Sequence, residues 1–357
     1  MRIKRLTLVN FKNHESREFL FSKRINCFTG CNGVGKTNVL DALYYLSFSK
    51  SFLNPTDNQN IRNDEEFFTI RGVYDIDEME ENIVLNFNKT KGKSLKRNDK
   101  EYEKISDHIG LIPLVIINPQ DIKLIFDGSA ERRKFIDSAV SQKDTKFLTA
   151  LQNYNRALIQ RNKYLKSANS IFDPSLMLMW NMHLISNGNI IFQGRKKFIE
   201  KFTIEFQKYY SLISDQKEIP ELKYYSQLLT SDLEELLETS LEKDRALQYT
   251  SCGIHKDDLL FEIGELPLKN AGSQGQQKTY LAALKLAQFS YLKQSGKTPI
   301  LLLDDILDKL DSQRVKRIVN LILEENNFEQ IFITHTSSSD MKELFLGHED
   351  DFEVFEI

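Results

Sequence analysis

The sequence predicts an α/β nucleotide-binding head interrupted by an α-helical insertion. Three observations carry that prediction. A glycine-rich loop, Gly30-Cys31-Asn32-Gly33-Val34-Gly35-Lys36-Thr37, follows an apolar stretch. A second apolar stretch, Ile300 to Leu303, ends in Asp304 and Asp305. Between them the texture changes from short β-like runs to helix formers and back again.

The first segment reads as β-rich. Ile3, Leu6 and Leu8, then Phe19 to Phe21, Ile25 to Phe28, Phe67 to Val73 and Ile83 to Phe87 form short or alternating apolar runs separated by turn residues. After the loop, Val39, Leu40, Ala42, Leu43 and Leu46 recur at helical spacing, so strand, loop and helix follow in the order phosphate binding requires. From about Ser129 to Leu247 apolar residues recur every three or four positions, as in Phe147, Leu148, Leu151, Tyr154, Leu158 and Leu165, and Gly188 and Gly194 are the only glycines. β-like texture returns at Asp258 to Ile263, Ile300 to Leu303 and Gln330 to Thr334. The expected organisation is a discontinuous head of residues 1–118 and 252–357 flanking a helical arm of residues 119–251. The basic run Lys89, Lys91, Lys93, Lys96, Arg97 and Lys100 contains Gly92 and Asn98 and reads as a hairpin or loop.

The loop has the form G-x-x-x-x-G-K-[ST]. Its glycines let backbone N–H groups turn onto phosphate oxygens, Lys36 reaches the outer phosphates, and the Thr37 hydroxyl is a Mg²⁺ ligand. Four apolar residues and then two acids give the complementary half: Asp304 is expected to hold Mg²⁺, and Asp305 to orient or deprotonate the attacking water. Ser273-Gln274-Gly275-Gln276-Gln277 precedes another helical stretch, and Ser273 with Gln276 fits a capping box. The N–H groups at such a helix start point at negative charge.

Composition bounds the function. With 48 basic and 51 acidic side chains the net charge is -3, so a nucleic-acid surface must be a local patch. The longest apolar runs are too short to span a bilayer, and no signal-peptide core follows the basic start, which favours a cytoplasmic protein. Cys27, Cys31 and Cys252 give neither a disulfide framework nor a zinc pair. A GTPase reading fails because Asn88-Lys89-Thr90-Lys91 lacks the acid of the guanine-selecting N-K-x-D.

Phosphate loop, Ser273-Gln274-Gly275 and Asp304-Asp305 together resemble the ATP-binding-cassette type of head, in which the nucleotide on one head is closed by the signature of a second. More narrowly, the chain is similar to the RecF family of DNA-repair ATPases, related to the SMC group. The stretches that carry this are Leu6 to Asn13, the phosphate loop continued by Asn38, Glu131 to Asp137, Gln160-Arg161-Asn162, Gly253 to Leu259 and Ser273 to Gln277. Asp305 stands where most cassette heads have glutamate and RecF-like proteins have aspartate. Lys12 and Lys256 replace usual arginines, and Ile254 a usual proline. Asn118-Pro119-Gln120 occupies the Q-loop region, and which polar side chain acts as sensor stays open. Asp311 lies in the D-loop match, and His335 stands where a switch histidine would.

The resemblance implies that two heads sandwich two ATP molecules, with Lys36, Thr37 and Asp304 of one chain facing Ser273 of the other. ATP would stabilise the dimer and slow hydrolysis would release it. It also implies binding of duplex DNA beside single-stranded gaps, and cooperation with RecO and RecR in loading RecA during recombinational repair and the SOS response. Expected DNA contacts are Lys89, Lys91, Lys93, Lys96, Arg97, Arg132, Arg133, Arg161 and Arg195 to Lys197. Two other functions share part of the pattern. A transporter ATPase has the same trio of motifs, although its loop and signature normally lie closer together. An SMC-like clamp would need long heptad arms that residues 129–247 do not supply.

Overall fold

A computed structural model describes residues 1–167, 173–214, 219–305, 312–324 and 328–357. The chain divides into two compact units. The first comprises residues 1–121, 209–214 and 278–357, and the second residues 122–208 and 215–277.

In chain order the first unit begins with β1 (Arg2–Phe11), β2 (His14–Leu20), β3 (Ile25–Thr29), α1 (Lys36–Phe48), β4 (Phe67–Ile76), β5 (Met79–Asn88), β6 (Gly92–Arg97), β7 (Lys100–Glu101) and β8 (Leu114–Ile117). Next come α2 (Lys123–Phe126), α3 (Ser129–Ser141), α4 (Thr145–Ser167), α5 (Pro174–Ile213), β9 (Pro220–Tyr225), α6 (Leu233–Thr239), α7 (Leu241–Leu247), β10 (Asp258–Ile263), β11 (Leu266–Pro267), α8 (Leu268–Ala271) and α9 (Gln274–Lys293). The chain closes with β12 (Ile300–Asp304), α10 (Ser312–Glu324), β13 (Ile331–His335), α11 (Ser338–Leu344) and β14 (Phe352–Glu356).

The first unit holds two sheets of different character. One is antiparallel, in the order β2-β1-β4-β5-β6-β7. On β1 the alternation of Leu6 and Leu8 against Thr7 turns one face to the core, as expected for a sheet wet on its other side. The other sheet is parallel, in the order β14-β3-β13-β12-β8. Its strands β3, β8, β12 and β13 are buried throughout, which is why they read as largely apolar runs without alternation. The core joins both sheets through α1, whose Val39, Leu40, Leu43 and Leu46 are buried with Phe11, Phe28, Phe68, Ile70, Leu302 and Phe332.

The parallel order aligns three strand ends. β13 lies between β3 and β12, with Thr334 opposite Asp304 and His335 opposite Thr29. The phosphate loop leaves β3, and the acidic pair ends β12, so both halves of the expected site meet at one edge.

The second unit is helical, with its longest helices in α4 and α5, and the two sequence glycines of α5 have packing reasons. A Cβ at Gly188 would lie 2.5 Å from Leu233, and one at Gly194 would lie 2.5 Å from Phe147. The unit is not helical throughout. A three-stranded antiparallel sheet, β11-β10-β9, runs inside the segment expected to be helix and across the expected boundary at residue 252. The six residues of β9 offer only Pro220 and Leu222 as buried positions, too few to display a period in the sequence.

Candidate functional site

Three glycines of the phosphate loop take backbone angles that side chains disfavour: φ is 143° at Gly30, 86° at Gly33 and 111° at Gly35. Gly35 has a second reason to lack a side chain, because a Cβ there would strike the Asn13 carboxamide. Asn13 sits in the turn between β1 and β2. Its Nδ2 donates to the Val34 carbonyl at 2.6 Å and its Oδ1 accepts from Asn38 at 2.7 Å. His14 Nε2 lies 3.3 Å from the Gly35 carbonyl oxygen. The loop is thus held from outside by the adjoining hairpin.

Lys36 is buried, and its ammonium donates to the carbonyls of Gly30 at 2.7 Å and Cys31 at 2.9 Å. Neighbouring Lys12 is also withdrawn from water and pairs with the fully buried Asp41 at 2.5 Å. Burial lowers the Lys12 pKa from its ordinary value, opposed by Asp41. Asp41 in turn accepts from the Ser51 hydroxyl at 2.6 Å and the Phe52 N–H at 2.8 Å. A cavity of about 580 Å³ is lined by Lys12, Asn13, Gln59, Arg62, Asn63 and Glu65, beside the residues that hold the loop.

The structure brings Thr37 and Asp304 together: the hydroxyl donates to Asp304 Oδ1 at 2.8 Å. Thr334 donates to the same oxygen at 2.8 Å, and its own oxygen accepts the Asp305 N–H at 3.0 Å. Sequence reasoning missed Thr334, whose signal was its place immediately before His335 on the strand next to Asp304. Asp305 has φ 47°, a left-handed conformation uncommon outside glycine, asparagine and aspartate. That turn carries the second acid off the strand. The hard oxygens of Thr37 and Asp304 suit Mg²⁺, which takes few protein ligands and keeps waters and phosphate oxygens for the rest. Among the described residues no cluster of three or more His, Cys, Asp or Glu side chains suited to a metal occurs. His335 is buried at the end of β13, where its Nδ1 accepts the Ser337 N–H at 3.0 Å. Asp311, expected in a D-loop, lies outside the described residues.

Ser273 caps α9 as the capping box requires. Its hydroxyl accepts the Gln276 N–H at 3.3 Å, and the Gln276 side chain accepts the Ser273 N–H at 2.5 Å. Gln277 reaches back to the Gly272 carbonyl at 3.0 Å. Gln274 and Gly275 form the first turn. In the Q-loop region Asn118 accepts the Gln120 N–H at 2.8 Å, and Asp121 pairs with Lys285 at 2.6 Å.

The expected DNA contacts need correction. Arg161 is fully buried and pairs with Asp244 at 2.7 Å, with further bonds to Thr250 and Asn181. Arg195 is also buried, bridging Asp137 at 2.9 Å and Asp257 at 2.8 Å. Arg132 holds Asp258 through two hydrogen bonds, at 2.7 and 2.9 Å, and Arg133 donates to Ser129 and the Asp257 carbonyl. These guanidinium forks staple elements of the second unit to one another, a use that sequence does not distinguish from phosphate binding. The basic run does form a hairpin, β5 to β6. Three of its cations face acids: Lys89 meets Glu66 at 3.2 Å, Lys93 meets Asp57 at 2.8 Å and Arg97 meets Glu81 at 2.5 Å. Lys91 is exposed and Lys96 half-buried.

Comparison with known proteins places this chain in a family. The RecF/RecN/SMC N terminal domain model matches residues 2–347. The DNA replication and repair protein RecF of Phocaeicola vulgatus is 48% identical over 360 residues, spanning 100% of this chain and 96% of its own. The solved recombination mediator protein RecF-ATP of the RecFOR pathway superposes with a TM-score of 0.87 at 30% identity, covering 95% of this chain and 92% of that one. A Pyrococcus furiosus Smc head domain, 18% identical with a TM-score of 0.56, covers 95% of this chain and 90% of its own and shares the fold. The α/β head and helical arm expected from sequence are therefore those of the ABC-type, SMC-like ATPases, and the chain belongs to the RecF family.

Proposed function

We propose that this protein is a RecF-type DNA replication and repair ATPase that binds Mg²⁺ and ATP at the β3–α1 loop and dimerises on nucleotide. The observation that carries the reading is the meeting of Thr37 and Asp304 at one hydrogen bond of 2.8 Å beneath the phosphate loop. The two residues are 267 positions apart in the chain, and the parallel strand order brings them to one edge. The similarity to a protein described as RecF-ATP supports the choice of nucleotide.

In this reading the loop N–H groups and Lys36 take the β- and γ-phosphates. Thr37 and Asp304 hold the metal, which when bound neutralises developing charge on the phosphates. Asp305 positions and deprotonates the attacking water. The capped start of α9, with Ser273, Gln274, Gly275, Gln276 and Gln277, supplies N–H donors to the γ-phosphate held by a second copy of the chain. Each chain then holds half of each composite site, and hydrolysis, slow because it awaits dimer closure, separates the copies. His335 is the candidate switch beside the Asp304 strand, and Asp311 the candidate D-loop acid.

DNA is the proposed macromolecular ligand, duplex next to single-stranded gaps, with RecO and RecR as partners in RecA loading. The full-length similarity to RecF proteins supports this over a transporter subunit or an SMC-like clamp. Among the described residues no helix is long and apolar enough to cross a membrane, and we take the protein to act in the cytoplasm.

Sedimentation with ATP and gapped DNA tests the reading. A monomer should become a dimer with Mg²⁺-ATP and co-sediment with the DNA. A species that stays monomeric at saturating nucleotide contradicts it.

A further inference from the structure

Lys12 holds an uncommon backbone conformation. Its φ is 54°, in the left-handed region that glycine, asparagine and aspartate favour, at the corner where β1 turns into β2. Strain of this kind persists only where the surrounding structure over-determines it, and it collects at binding sites. The surroundings are specific. The Lys12 N–H donates to the Asn60 carbonyl at 2.8 Å, the Arg62 N–H donates to the Asn10 carbonyl at 2.9 Å, and Phe11 forms a β-bridge with Ile61. The corner is thereby joined to the residues that form the other wall of the cavity beside the phosphate loop.

Asp41 fastens the same corner from α1. It lies one helical turn beyond Thr37, about 6 Å along the axis. Both carboxylate oxygens are used, Oδ2 by the Lys12 ammonium and the Ser51 hydroxyl, Oδ1 by the Phe52 N–H. Ser51 in turn accepts the N–H groups of Leu53 and Asn54 at 3.0 and 2.9 Å, and the Asn54 side chain donates to Asn60 at 3.0 Å. One carboxylate therefore ties the phosphate-loop helix to both walls of the cavity. Lys36 takes no part, because its ammonium donates to Gly30 and Cys31.

Burial alone favours the neutral form of Lys12, and Asp41 opposes it, so the acid keeps a cation at the cavity wall. A buried ion pair is often no more stabilising than apolar residues of the same volume, so stability is a poor account of this one. We propose that Asp41 is a positioning residue for nucleotide binding, holding the Lys12 ammonium at the seam between the phosphate loop and the adjoining cavity, where it meets the nucleotide. This rests on the ATP reading above and adds to it a residue that touches no ligand. Asp41 acts through Lys12.

The test is isothermal titration of the full chain with Mg²⁺-ATP, comparing wild type, Asp41→Asn, Lys12→Met, the double variant of both, and Ser51→Ala. Asp41→Asn should weaken ATP binding by about tenfold or more, and Lys12→Met by at least as much. In the Lys12→Met background Asp41→Asn should cost no more than about a further twofold, because the group it acts through is gone. Ser51→Ala keeps the acid and loosens it, so KM for ATP should rise while kcat holds, and this variant reads the same network if Asp41→Asn does not fold. Wild-type affinity in Asp41→Asn or Lys12→Met, an unchanged KM in Ser51→Ala, or an equal loss from Asp41→Asn with and without the Lys12 ammonium would overturn the positioning role while leaving ATP binding by the loop intact. A wild-type protein that binds no Mg²⁺-ATP would overturn it together with the ATP reading.

Discussion

The Thr37 hydroxyl donates to Asp304 Oδ1 at 2.8 Å, joining the phosphate loop to the acid at the end of β12. Thr334 donates to the same oxygen and orders Asp305, so one carboxylate ties the ends of β12 and β13 to the start of α1. Asp305 then turns away with φ 47°. Asparagine tolerates this conformation about as well as aspartate, so Asp305→Asn isolates the chemistry from the backbone. We expect turnover to fall by about 10²- to 10⁴-fold with the ATP-bound dimer retained. Hydrolysis at the wild-type rate would move the base role to another residue.

Gly35 is constrained by its backbone and by its neighbour. Gly35→Ala puts a methyl group against the Asn13 carboxamide at φ 111°. Strain of about 1–3 kcal/mol on the loop should weaken ATP binding by roughly tenfold or more. Asn13→Ala removes the steric conflict and leaves the φ penalty, so combining it with Gly35→Ala should restore only part of the affinity. Isothermal titration of the single and double variants reads this directly, and full recovery in the double variant would show that φ is not limiting.

Lys36→Ala and Ser273→Arg separate the two halves of the proposed composite site. The first should abolish nucleotide binding and, with it, ATP-dependent dimers. The second should bind ATP with normal affinity yet remain monomeric, because the bulky cation occupies the capped start of α9. Analytical ultracentrifugation at saturating ATP distinguishes them. Dimers of the Ser273→Arg protein in normal yield would remove the signature from the interface.

Arg161 and Asp244 are both fully buried. Arg161→Ala strands the carboxylate and should destabilise the second unit by about 3–5 kcal/mol. Urea denaturation should show the loss. If the arginine instead served DNA, the variant would keep its stability and lose affinity.

His108 and His255 give the protein an acid-sensitive limb. Burial leads in pushing each imidazole pKa down to about 4, from 6.5. Both stay neutral in the fold while the unfolded chain takes up protons, so the unfolded state binds more protons between pH 6.5 and 4. Stability is therefore complete above pH 6.5 and falls as the pH drops through this window, by up to about 3 kcal/mol for each histidine. His108→Gln should flatten the trend in denaturation midpoints measured from pH 7 to 5. An unchanged slope would exclude His108 as a source.

Much of the head was legible because local chemistry specifies it. Glycines at Gly30, Gly33 and Gly35 are demanded by left-handed or otherwise strained backbone, and β3, β12 and β13 read as apolar runs because both faces of the parallel sheet are covered. The Ser273–Gln276 capping box is equally local, spanning four residues. Features that depend on distant partners were not legible. Nothing within reach of Asn13 in the chain announces that it brackets Val34 and Asn38, and Thr334 becomes part of the site only through its register against Asp304.

The arginines make the same point for charge. Arg132, Arg161 and Arg195 are indistinguishable in sequence from DNA-facing residues, and only folding supplies Asp258, Asp244 and Asp137 as their partners. The phosphate loop, the acidic pair, the capped helix start and the family were all fixed by residue types at short, ordered spacings, and needed no fold to be read. Which cations remain available to solvent was settled by tertiary packing alone, because a guanidinium finds its partner among elements up to 126 residues apart.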